Sequence, residues 1–335
     1  MKDNKEIANI LKKYGFSIVN NKIIANTDVL SVYKKVKSDY ILSKRKTYEK
    51  VIGRVLSILN KPYDLYNARI TIKFVESKED SILFSFLGDV FSYIPSFGAF
   101  GRRIRYFLWD IDNDRPVGLV EMSSPTYVMT DRDKYFLINN SNRENLLNYG
   151  MYVKRIITLP PYRNLRSLII SSLLTDEIRD YYYNKYKDKV TLIKKRKIEP
   201  YLLYLYTLSL LPQTYFPYFH FIGYTKGYGD LHVYHDTVKK IKKEEGIKHN
   251  FFVSSSYDIK LLTKHGIPTK HNIKKRIYGV VLSENYPNIP PLYKKNRFGT
   301  RNIYFDESGQ IDFTDILRNA IIKGELPSSY ALLNL

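Results

Sequence analysis

The chain has 335 residues, 44% hydrophobic and 15% aromatic, which is enough apolar surface to bury a core and too much for a disordered chain. Its 54 Lys and Arg against 33 Asp and Glu leave a net charge of +21 at pH 7, a surplus that points to a polyanionic partner, DNA or RNA, although AT-rich codon usage would also enrich Lys, Asn, Ile and Tyr. Cysteine is absent, which excludes disulfides, thiolate metal sites and a cysteine nucleophile. No stretch reaches the ~18 apolar residues of a membrane span and the N-terminus lacks the apolar run of a signal peptide, so a cytoplasmic protein with no membrane partner is expected.

Residues 4–14 place Ile7, Ile10 and Leu11 at helical spacing ahead of Gly15, which predicts a short amphipathic helix. A small hairpin around Asn20 and Asn21 follows, then one or two helices over 28–60 with Lys34, Lys35, Lys37, Lys44, Arg45, Lys46 and Lys50 exposed. That basic run reads equally as a solvated helix face or a nucleic-acid contact. From "NARITIKFVE" onward the texture changes to short strands. "RIRYFLWD" (103–110) and "PVGLVEMSSP" (116–125) flank a polar turn and predict an antiparallel hairpin. "YVKRIITL" reads as a strand, 165–186 as a helix, and 201–210 as an apolar strand central in a sheet. In "FIGYTKGYGDLHVYH" a strand pattern is broken by Gly223, Gly227 and Gly229. The last hundred residues alternate basic clusters with short strands at 276–282 and 301–305. The expected fold is α+β, a mixed and mainly antiparallel sheet with the 165–186 helix packed across it. Three regions are expected: a helical N-terminal piece (1–61), the α+β core (62–237) and a basic C-terminal extension (238–335).

Several groupings could carry chemistry. In "ITLPPYRNLRSLIISSLL" a strand turns through two prolines into a helix, where Asn164 can cap and leave the amides of Leu165, Arg166 and Ser167 facing outward between Arg163 and Arg166. Such a junction binds a phosphate, or is an ordinary capped helix start with solvated arginines. "TDRDKYF" offers Asp133 as an acid or base, or as the partner of Arg132 in a structural ion pair. Tyr215, Tyr218, His220, Tyr224 and Tyr228 crowd one loop, where phenols suit proton donation or base stacking. No metal set is proposed, because in a strand His232 and His235 project to opposite faces.

"FGRRIRYFLWDIDNDRPVGLVEMSSPTYVMTDRDKYF", "LPPYRNLRSLIISSLLTDEIRDYYYNKY" and "IGYTKGYGDLHV" resemble, in order, three blocks of the DruA family of the Druantia anti-phage system, over about residues 98–237. The resemblance implies a role in phage–host conflict or on a mobile element, on the defence or the virus side, alongside other proteins of such a system. It also implies a core similar in strand order to N-acetyltransferases (GNAT-like) and to Mom-like DNA modifiers. By that analogy acetyl-coenzyme A or another acyl-coenzyme A would sit on Arg163, Asn164, Leu165, Arg166 and Ser167, with Tyr215 or Tyr218 as proton donor. Lys44, Arg45, Lys46, Lys195, Arg196, Lys294, Lys295 and Arg297 would hold the polynucleotide. Two features depart from the family pattern: Leu165 and Arg166 or their neighbours replace a glycine pair, and the segment before His220 is shortened. The resemblance therefore carries two functional readings, a nucleic-acid-modifying acyltransferase and a non-catalytic DNA- or RNA-binding subunit on the same fold.

Overall fold

The computed structural model describes residues 2–26, 29–63, 68–92, 101–191, 195–209, 216–225, 235–246, 255–283, 286, 297–303 and 312–325. Helix α1 (Lys2–Lys13) stops at Gly15, whose φ is 83°. Strands β1 (Phe16–Val19) and β2 (Lys22–Ala25) then form the expected hairpin. Asn20 and Asn21 take φ of 48° and 56°, the left-handed pair that a two-residue hairpin turn requires and asparagine tolerates. The basic run folds as α2 (Val29–Ser43), α3 (Arg45–Glu49) and α4 (Ile52–Leu59). Most of its lysines are at least partly exposed, but Lys37 is fully buried, against the sequence expectation.

After β3 (Ala68–Phe74), Ser77 accepts a hydrogen bond from the Asp80 amide and starts α5 (Lys78–Val90). Strands β4 (Arg103–Asp110) and β5 (Arg115–Ser123) make the second expected hairpin. Short helices α6 (Thr130–Tyr135) and α7 (Arg143–Asn148) lead into β6 (Gly150–Thr158). The predicted 165–186 helix is two helices, α8 (Arg166–Ser172) and α9 (Asp176–Tyr186). Thr175 is extended between them and its hydroxyl bonds the Ser172 carbonyl, while Asp176 and Glu177 open a new acidic first turn. The chain continues through β7 (Tyr204–Ser209), β8 (His220–Tyr224), α10 (His235–Glu244), α11 (Ser255–Lys264), β9 (Arg276–Val281), β10 (Arg301–Ile303) and α12 (Thr314–Lys323). Of the strand pattern expected up to His235, β8 carries His220–Tyr224 and His235 itself opens a helix; residues 226–234 lie outside the described set.

Eight strands form one mixed sheet in the order β10-β3-β4-β5-β6-β7-β9-β8, antiparallel throughout except for β6 beside β7. Every residue of β5 is buried, because both faces of the sheet are covered. On one face Ile169 of α8, Ile178 of α9 and Leu173 between them pack on Tyr106, Val120, Met122 and Val153. On the other, Phe84 and Leu87 of α5 and Leu317 of α12 pack on Phe107, Leu119 and Ile157. The C-terminal stretch contributes β9 and β10 to this sheet. Residues from both ends of the chain share a further cluster, in which Leu11, Phe16, Ile23 and Val32 meet Val238, Ile241, Leu261 and Ile267. Among the described residues no helix is long and apolar enough to cross a membrane.

Candidate functional site

The parallel pair positions the candidate site. Its ladder runs from Gly150 opposite Tyr204 to Val153 opposite Thr207, while β6 continues to Thr158 and the last two residues of β7 pair with β9. The strands therefore part at Val153, where the Thr207 hydroxyl donates to the Val153 carbonyl at 2.9 Å. At the same point β6 is bulged: against β5, Met122 faces Val153 and Glu121 faces Arg155, which leaves Lys154 as the extra residue. The parted end of β6 runs directly into the Pro-Pro junction.

At the junction the Pro160–Pro161 peptide is cis. Buried Tyr162 donates its hydroxyl to Asp110 at 2.7 Å, and a 3₁₀ turn over Arg163–Leu165 feeds α8. Asn164 is exposed inside that turn and does not cap the helix; the capping position is held by Leu165, with no side-chain cap. The Leu165 amide donates to the Tyr162 carbonyl at 3.0 Å, so the outward amide expected there is occupied. Tightening the entry into a 3₁₀ turn is what consumes it. Ser167 is exposed, whereas Arg166 is half-buried with its guanidinium 5.7 Å from the Phe216 ring centre, and burial lowers its pKa. Phe216 opens the turn that holds Tyr218, which is 52% exposed at φ 70°. The structure thus brings Arg166 and the 216–219 turn together; Tyr215 lies outside the described residues.

Asp133 is engaged on both carboxylate oxygens. Arg132 Nε donates to Oδ1 at 2.7 Å, and Arg143 Nη1 donates to Oδ2 at 2.6 Å. Arg132 is fully buried and also donates to the Thr126 carbonyl. Of the two roles the sequence left open for Asp133, the geometry is that of the structural ion pair.

Sequence reasoning missed a row of charge on the α5 face of the sheet. Arg105, Glu121 and Arg155 are cross-strand neighbours on β4, β5 and β6. Arg103 reaches Glu121 at 2.7 Å and Lys154 approaches it at 3.8 Å. Burial opposes charge on Glu121, yet Arg155, Lys154 and Arg103 together hold its carboxyl below the usual range. Under α5, Asp89 is approached by Lys37 at 3.2 Å, Lys44 at 3.3 Å and Arg155 at 3.8 Å, and Tyr48 donates to it. Burial pushes the Lys37 ammonium down to about 7, against the pull of Asp89. A signal existed: Lys37 lies in the same helical stripe as Tyr33, Val36, Tyr40 and Ile41.

The basic residues expected to hold nucleic acid fall into different surroundings. Lys44 is committed to Asp89 and lies over the Tyr40 ring, and Arg45 pairs with Glu49 at 2.7 Å. Lys46, Lys195, Arg196 and Arg297 are exposed. Arg196 pairs with Glu144 and Arg297 with Asp180, each at 3.0 Å. Lys294 and Lys295 lie outside the described residues.

A family model, Druantia protein DruA, matches residues 26–289. The chain belongs to this family. The Druantia protein DruA of Escherichia coli (strain UMEA 4076-1) is 29% identical over 151 residues, 42% of this chain. The matched segment spans 37% of that relative, so the chain aligns with well under half of its length. No solved structure matches.

Proposed function

We propose that the chain is a nucleic-acid-binding, non-catalytic component of an anti-phage defence system, built on a core similar in strand order to the N-acetyltransferases. The observation that carries the non-catalytic reading is that groups an acyltransferase would need are already engaged. The Leu165 amide is held by the Tyr162 carbonyl, and both oxygens of Asp133 are held by arginines. Arg166 is turned onto Phe216. The donor set at the junction is thus a poor cradle for a coenzyme pyrophosphate, which needs free amides at close approach. The polyanion is supported by the net charge of +21, and the defence role by membership of the DruA family.

One observation favours the enzyme reading. The pairing of β6 with β7 ends at Val153, beside the Lys154 bulge and next to the junction, and a long thin cofactor such as an acyl-coenzyme A would supply the acyl group there. Calorimetric titration separates the two. A short oligonucleotide is expected to give saturable heat and acetyl-coenzyme A none at millimolar concentration, and Arg166→Ala is expected to leave both unchanged. Saturable heat with the coenzyme would replace the binding subunit by the enzyme.

A further inference from the structure

The strongest unassigned feature lies at the other end of β6 and β7, away from the junction. A cavity of about 710 Å³ opens there, with Arg179, Asp180, Tyr183, Asn184, Tyr201 and Leu202 in its lining. Its floor is apolar, with Leu202 buried. One wall is a single face of α9, where Arg179, Asp180, Tyr183 and Asn184 fall one turn apart. Opposite, Tyr201 stacks on Tyr183 with ring centres 5.7 Å apart and planes inclined by 21°, yet remains 51% exposed. An aromatic face held in place by a second ring and still open to solvent is a stacking platform. Asn184, Asp180 and Ser283 put both donors and acceptors at its edge.

The chain between the two stacked tyrosines is a basic finger. Val190 bridges Lys197 in antiparallel fashion and the Thr191 amide donates to the Arg196 carbonyl at 2.8 Å, so residues 190–191 and 196–197 run side by side, with Tyr183 and Tyr201 at their base; residues 192–194 lie outside the described set. Lys187, Lys189, Lys195, Arg196 and Lys197 are exposed along it, against Asp188 and Glu199. On the other side Arg297 reaches the cavity wall through Asp180 at 3.0 Å. Cationic flanks around an aromatic, amide-edged cavity match a nucleotide: phosphates on the lysines, a base on the ring. Only an unpaired base has a free face and a free edge to offer.

We infer that this cavity receives an unpaired base of a single-stranded nucleic acid, stacked on Tyr201, with the adjoining phosphates on the exposed Lys187, Lys189 and Lys197. The inference rests on the nucleic-acid reading above and adds the site and the strand state. Fluorescence anisotropy with a labelled oligothymidylate, and with a blunt duplex for comparison, tests it. Tyr201→Ala is expected to weaken single-strand binding by at least about fivefold, the smallest effect of losing one stacked base, with duplex binding unchanged. Tyr201→Phe is expected to bind the single strand like the wild type. Tyr201→Trp supplies an indole whose emission should be quenched by the oligothymidylate, and this variant keeps the test open if alanine disturbs the fold. Unchanged single-strand affinity in Tyr201→Ala, or unquenched indole in a bound Tyr201→Trp complex, would overturn the site alone. No binding of either nucleic acid by wild type at low salt would overturn the nucleic-acid reading with it.

Discussion

Lys37 shows how a single side chain ties the N-terminal helices to the sheet. Its ammonium has left water entirely, a cost that Asp89 offsets at 3.2 Å, and Asp89 in turn faces Lys44 and Arg155. Removing the acid while the cations stay is therefore the damaging change. Asp89→Ala is expected to cost about 3–5 kcal/mol in urea unfolding, whereas Lys37→Met, which leaves Asp89 with its other cations, should cost less. The same pair predicts a pH dependence. With Lys37 near 7 in the fold and 10.5 ordinarily, the unfolded chain binds a proton between those values that the folded chain does not. Lys37 alone should thus make stability rise with pH across that window, by at most about 1.4 kcal/mol per pH unit, and Lys154, lowered by burial, adds in the same sense. Above about pH 10 the sign reverses, because burial raises the phenols of Tyr48, Tyr106 and Tyr204 and the folded chain keeps protons that the unfolded chain loses. Urea midpoints at a series of pH values on wild type and Lys37→Met check this: the rise should shrink in the variant, and an identical profile would refute it.

At the scale of elements, α8 sets the geometry of the candidate site by how closely it lies on the sheet. A Cβ on Gly118 would stand 2.2 Å from Ile169 Cδ1 and 2.5 Å from the Ile157 carbonyl oxygen. Gly118→Ala is thus expected to destabilise the chain by about 1–3 kcal/mol in thermal or urea unfolding. Adding Ile169→Ala should not restore stability, because the backbone oxygen stays in place; full rescue would show that the side chain alone sets the contact. The local devices here were legible in the sequence. The Asn20–Asn21 turn and the 103–123 hairpin depend on neighbours a few residues apart, and period-two patterning and turn chemistry report them directly. The break between α8 and α9 was signalled by Thr175-Asp176-Glu177 but was masked by the apolar stripe running through it. The sheet order was not legible, since β9 inserts between β7 and β8 and β10 returns to β3, pairings that no local pattern encodes. The junction illustrates the same limit. Asn164 is a good capping residue by type, but a 3₁₀ turn moves the helix start beyond it.

Across the whole molecule the net charge of +21 overstates what is available to a polyanion, because placement decides which cations can release counterions. Lys44 is committed to a buried carboxylate and Arg45 to its neighbour one turn on, whereas Lys187, Lys189 and Lys197 stand exposed on a finger whose described residues carry five cations against two acids. If binding were governed by overall charge, removing any two cations would reduce affinity and salt sensitivity alike. If it is governed by placement, the two sets must differ. For a single strand, log K falls with log salt concentration by about 0.7 for each phosphate neutralised. Replacing Lys187, Lys189 and Lys197 by serine is therefore expected to flatten that slope by up to about 2, and to weaken binding most at low salt. Arg45→Ser is expected to leave the slope unchanged, since its guanidinium already has a carboxylate counterion at 2.7 Å. Anisotropy titrations with an oligothymidylate at several salt concentrations read both slopes directly. An equal flattening per charge in the two variants would assign the attraction to the diffuse field of the whole protein, and a flattening confined to the finger assigns it to the face that carries the Tyr201 cavity.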